Sequence, residues 1–163
     1  MPPLGGGMEI DMKKTAIFLC ILAFLLVSCA EKTVDLPMPA DLFVAIEASV
    51  ELSEMVDVSE DFLESNLGVL PADYRGAVYY IVSIGASCEE IIIIRAADEA
   101  KAEEIEEKLA ARLAYVEKSA NNYLTEYLPM IDSAVIRRDG LTVSLIISDH
   151  VMEIEAVFDS YSR

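Results

Sequence analysis

At 163 residues, with 29 acidic side chains against 12 basic ones, the chain is long enough for one domain with a real core and carries a net charge of −17. That balance excludes nucleic acid as a partner and repels anionic headgroups and cell-wall polyanions. Three cysteines and one histidine supply neither a disulfide framework nor a zinc-ligand set.

The chain opens on Pro2-Pro3-Leu4-Gly5-Gly6-Gly7, which matches no targeting signal, and Glu9 and Asp11 would cancel a positive n-region. Three consecutive Gly codons are G-rich, as a ribosome-binding site is. Residues 1–11 therefore read as an over-called start, with translation expected from Met8 or Met12. Lys13 and Lys14 then precede a wholly apolar run from Ala16 to Val27. Twelve helical residues reach about 18 Å, short of the roughly 30 Å of bilayer hydrocarbon. Leu26-Val27-Ser28-Cys29 resembles the bacterial lipobox, in which the thiol is diacylated and the peptide is cut just before it. Acyl chains supply membrane affinity at about 0.8 kcal/mol per buried methylene, which a short helix cannot. Residues 1–28 are thus expected to be a signal peptide and Cys29 the lipidation site, with diacylglyceryl-Cys29 holding the protein to the extracytoplasmic face of the cell membrane. The competing reading is an uncleaved signal anchor. Cys20 leaves with the signal peptide, so Cys88 has no disulfide partner in the mature chain.

Residues 29–39 are expected to form the lipidated cysteine and a short polar tether with Pro37 and Pro39, and residues 40–163 a single domain. Leu42, Ile46 and Val50 predict a helix with Asp41 as N-cap, and Ser59 to Ser65 a second, short one. Val78, Tyr80, Val82 and Ile84 alternate with Tyr79, Ile81 and Ser83 as a strand. Glu90 to Ala96, with four isoleucines in a row, reads as a central strand buried on both sides. Asp98 caps a long helix whose apolar stripe is Ala102, Ile105, Leu109, Leu113, Val116 and Ala120; Glu103, Glu106 and Glu107 fall on its wet side. Asp139-Gly140 joins two further strands in a hairpin. Asp149 is expected to cap a closing helix with Ile154, Val157 or Phe158, and Tyr161 turned inward. The fold class is α+β, a mainly antiparallel sheet of about four strands in the order α-β-β-α-β-β-α, with helices packed on one face.

Asp57 to Asp61 opens like a calcium loop, but Phe62 stands where the turn needs Gly and Gly68 where a bidentate Glu is needed. His150 reads as a helix-start residue and Cys88 as a small turn residue. The seven tyrosines read as rim-of-core side chains, with a ligand groove as the alternative. No catalytic residue, metal ligand or cofactor is assigned. One patch is a candidate for partner binding: Thr142, Ser144 and Ile146 on one face of the last strand, with Val135 and Arg137 beside them. It reads either as plain solvated sheet or as a docking surface of mixed apolar and Arg composition.

Glu90-Ile91 entering a strand, Asp98 starting a helix, Arg112 within it, Tyr127-Leu128-Pro129 and Gly140 in the last hairpin together resemble the uncharacterised lipoprotein domain DUF4358. The resemblance covers roughly residues 40–160. It implies a surface lipoprotein of Gram-positive bacteria and no particular activity. The expected role is a non-enzymatic, membrane-anchored domain that binds a protein or envelope component. The alternatives are a small membrane-surface hydrolase or transferase and a structural subunit of an envelope complex.

Overall fold

The computed structural model describes residues 36–83 and 87–161. Cys29 and the whole expected signal peptide lie outside them, as does Ile84. The strand of isoleucines organises everything else. β-branched residues suit the pleat, and Ile91, Ile92, Ile93 and Ile94 are all 0% exposed. Full burial of such a side chain contributes about 1.5–3 kcal/mol, so this strand needs apolar cover on both sides.

The elements run α1 (Pro39–Ser49), β1 (Met55–Asp57), α2 (Ser59–Leu67), β2 (Tyr74–Val82), β3 (Glu90–Ala96), α3 (Glu99–Tyr123), α4 (Leu128–Asp132), β4 (Val135–Asp139), β5 (Thr142–Ile147) and α5 (Val151–Ser160). The strands form one sheet in the order β1-β2-β3-β5-β4, and every neighbouring pair is antiparallel. This is the expected α+β fold with one strand more than the sequence showed. β1 has only three residues, too few for an alternating pattern to register, and it pairs Met55 with Val82 at the sheet edge.

Helices cover both faces of the sheet, not one. Ile92, Ile94, Val143 and Leu145 pack under α3 and α2, against Ile105, Leu109 and Leu63. Ile91, Ile93, Val78 and Ile146 pack under α1 and α5, against Leu42, Phe43, Ile46, Ile154 and Phe158. The α3 stripe is as expected, with Ala102, Ile105, Leu109, Val116 and Ala120 buried and Leu113 half-buried against the same core, and Asp98 Oδ1 accepts from the Lys101 amide at 2.9 Å.

The details differ in five places. Leu36 is already 2% exposed and α1 begins at Pro39, so the domain starts inside the expected tether. Proline at the first helical position supplies a preset φ, which places Asp41 in the first turn and leaves Met38 as N-cap. The α5 N-cap is His150 rather than Asp149. Tyr161 is 42% exposed, while Val151, Ile154 and Phe158 face inward. The β4–β5 hairpin turns on Gly140 and Leu141, with Gly140 at φ +59° and no positive φ at Leu141. That is the type II′ pattern, in which Gly takes the first central position.

Candidate functional site

The five residues of the predicted docking patch do come together. Val135 stands opposite Ile146 and Arg137 opposite Ser144, all on one face of the β4–β5 hairpin. That face is not a surface, however. Thr142, Ser144 and Ile146 are 3%, 1% and 0% exposed, and Val135 packs into the core beneath α1 and α5. Arg137 is held by Asp139 and by Asp159 of α5 at 2.7 Å, with its guanidinium carbon 5.3 Å from the centre of the Phe158 ring. The bond to Asp139 first, and that to Asp159, outweigh burial and raise its pKa further. Counted alone, a strand face with two hydroxyls reads as wet. Here the apolar sides of two helices close over it.

The accessible recess lies on the other side of the molecule, where the end of α2 meets the middle of α3. A cleft of about 410 Å³ is lined by Ser65, Asn66, Leu67, Lys108, Ala111, Arg112 and Tyr115. Gly68 ends α2 at φ +63°, a conformation that a β-carbon disfavours. Lys108 Nζ donates to the Gly68 carbonyl, tying this turn to α3. Lys108, Arg112 and Tyr115 are spaced by four and three residues, so they share one face of α3.

Arg112 forms the floor. It stands three residues beyond Leu109, at the margin of the apolar stripe, and reaches the first residue of β3. Its Nε and Nη2 donate to Glu90 at 3.1 and 2.5 Å. The Tyr79 hydroxyl donates to the same carboxylate at 2.9 Å. Glu90 is 5% exposed and Tyr79 0%, so these are buried polar groups with partners in place. The guanidinium carbon lies 6.0 Å from the Tyr79 ring centre and 5.4 Å from that of Tyr115, within cation–π range. Burial works against the Arg112 charge, but the Glu90 bonds and charge outweigh it and its pKa is raised. Burial first, then the Glu90 charge, pushes the Tyr79 phenol up, so it stays a donor. Burial, followed by Glu90 and Glu126, likewise pushes up the Cys88 thiol, which is 7% exposed; it is therefore protonated near neutral pH and suited to packing rather than attack.

Chemically, this arrangement presents groups that can stack, donate hydrogen bonds and carry positive charge. Tyr115 offers a ring that is 62% exposed and backed by a guanidinium. Nη1 of Arg112 is not used in the Glu90 pair, and the Lys108 ammonium and Asn66 amide border the same recess. A second shallow groove of similar volume runs between α1 and α5, lined by Ala45, Ser49, Glu153, Ala156, Val157, Ser160 and Tyr161, without a cation. Among the described residues no group of three His, Cys, Asp or Glu side chains is placed to hold a metal ion.

The sequence pattern of a domain of unknown function, DUF4358, matches residues 48–148. The chain belongs to the DUF4358 family. No curated protein and no solved structure matches it. The DUF4358 stretch runs from the end of α1 through β5, so it holds the whole Tyr79–Glu90–Arg112 network and the cleft above it.

Sequence reasoning missed this cleft, although a signal was present. Glu90 opens a run of isoleucines and Arg112 sits beside an apolar stripe. Two charges at such positions call for each other, because each is costly to bury alone.

Proposed function

We propose that this DUF4358 protein is a lipid-anchored extracytoplasmic domain that binds a protein or envelope component through the α2–α3 cleft. The anchoring rests on Leu26-Val27-Ser28-Cys29 after a short apolar run. Among the described residues no helix is long and apolar enough to cross a membrane. The binding rests on one observation: Lys108, Arg112 and Tyr115 border a single open recess in a chain of net charge −17. An exposed aromatic ring beside cations and an amide is a surface for a flat or acceptor-rich group. The titratable side chains of the cleft are Lys108, Arg112 and Tyr115, which favours recognition over hydrolysis or group transfer.

Two measurements test the two halves. Cys29→Ala should abolish labelling with palmitate and leave unprocessed precursor; a mutant that still takes up the label sinks the anchoring. Tyr115→Ala with Lys108→Gln should remove the co-purifying component from gently solubilised membranes while leaving the melt nearly unchanged. Retention of that component would move the binding site elsewhere.

A further inference from the structure

The described chain enters the domain at one end of the sheet. Arg95 Nη1 donates to the Leu36 carbonyl at 3.0 Å, and Met38 covers Gly76 so closely that an added β-carbon would meet its Cε at 2.6 Å. Antiparallel register brings the start of β2, the end of β3, the start of β5 and the end of β4 to this same end. Tyr74 is opposite Ala96, and Thr142 is opposite both Arg95 and Asp139. The first turn of α3 follows directly, with Lys101 bound to Asp73 at 3.0 Å.

The charge of the described residues is distributed unevenly about this axis. Five of the eight Lys and Arg side chains among the described residues fall at the entry end: Arg75, Arg95, Lys101, Arg137 and Arg138. The carboxylates paired with them, with Asp41 and Asp98, number eight. The rest of the described chain has seventeen carboxylates against three cations. Two large apolar side chains are also left in the open at this end, Met38 at 39% and Leu70 at 47% exposure.

We infer that the entry end rests on the lipid headgroups, with Arg75, Lys101 and Arg138 as its cations and Met38 and Leu70 at the interface, so that the Arg112 floor of the cleft is turned away from the bilayer. The inference rests on the anchoring proposed above. Six residues separate Cys29 from Leu36, and the seven Cα–Cα steps span at most about 25 Å, so the entry end cannot move far from an acylated cysteine. Within that reach an anionic bilayer repels the seventeen-carboxylate remainder and tolerates the entry end best. Basic stems and apolar side chains together are the composition that settles at an interface. Arg112 binds Glu90, the first residue of β3, which places the floor of the cleft toward the opposite end of the sheet.

The test compares amide hydrogen exchange of the full lipidated chain, in vesicles of equal parts phosphatidylglycerol and phosphatidylcholine, with that of the same chain in detergent. Segments 36–42, 70–76 and 137–142 should exchange several-fold more slowly on the vesicles, and segments 54–58 and 147–153 should not change. Leu70→Asp with Arg75→Glu should lose that protection without shifting the melt. Protection of the far segments instead, or of neither set, on a chain whose Cys29 carries lipid by mass overturns the orientation alone. A chain with no lipid mass on Cys29 overturns the anchoring and the orientation together.

Discussion

Under α2 and α3 the sheet buries a fully bonded charge, whereas under α1 and α5 it buries a bare hydroxyl. On the first side Glu90 accepts from Tyr79 and twice from Arg112. On the second, Ser144 Oγ is buried without a hydrogen-bond partner. Both sides are otherwise closed mainly by apolar side chains, although the second also holds the Ser148–Glu89 bond and Arg137 against Phe158. The difference lies in what each polar group fixes. The Glu90–Arg112 pair sets where α3 crosses the sheet, and so places Lys108 and Tyr115 about one turn to either side of the guanidinium. Ser144 positions nothing comparable. The DUF4358 match includes α2, α3 and the pair, and ends before α5.

The sharpest way to break this comparison is to remove the cation. Arg112→Met leaves Glu90 buried with Tyr79 as its remaining partner among these three, and breaking a buried pair in this way costs about 3–5 kcal/mol. Urea unfolding monitored by circular dichroism measures it. Glu90→Leu with Arg112→Met should recover most of the loss, because an apolar pair of similar volume removes both charges. A single variant costing under about 1 kcal/mol would mean that the pair does not hold α3 in place.

The aliphatic parts of the two sides should respond alike. Ile92 faces α3 and Ile93 faces α1 and α5, and each is 0% exposed. Replacing either by Ala should cost about 2–5 kcal/mol, the transfer of the lost atoms plus the cavity they leave. Equal losses would establish that the two helical layers pack with equal force. A neutral Ile93→Ala would mean that the α1 and α5 cover yields to the change.

How much of this was legible follows the same division. Long periodic signals carried through: the isoleucine strand, the α3 stripe and its Asp98 cap, and the hairpin glycine. They are local, repeated and backed by side-chain chemistry. Three-residue β1 carries no period, and α1 reads as a helix without revealing which side of the sheet it covers. That second point undid the docking patch. Thr142 and Ser144 look solvated until α1 and α5 are laid over them, and nothing in residues 135–147 announces the cover. The cleft failed for the opposite reason. Its signal, a Glu and an Arg at apolar positions 22 residues apart, appears only when two elements are read against each other.

The smallest effects separate two serines on the same side of the sheet. Ser144 and Ser148 are 1% and 0% exposed. Ser148 Oγ donates to Glu89 Oε1 at 2.6 Å and accepts from the His150 amide at 3.1 Å, so it satisfies a carboxylate that is itself 7% exposed. Ser148→Ala should therefore destabilise by about 1.5–3 kcal/mol, as for other bonds to charged groups. Ser144 Oγ bears the cost of desolvation with no bond to offset it. Ser144→Ala removes that hydroxyl without enlarging the side chain, and should stabilise the fold by about 1 kcal/mol. Paired thermal melts read both variants in one experiment. Opposite signs would establish that bonding, rather than burial, decides the worth of a core hydroxyl in this domain. A loss on Ser144→Ala matching that on Ser148→Ala would mean that Ser144 has a partner in solution, and the contrast between the two faces of the sheet would be correspondingly smaller.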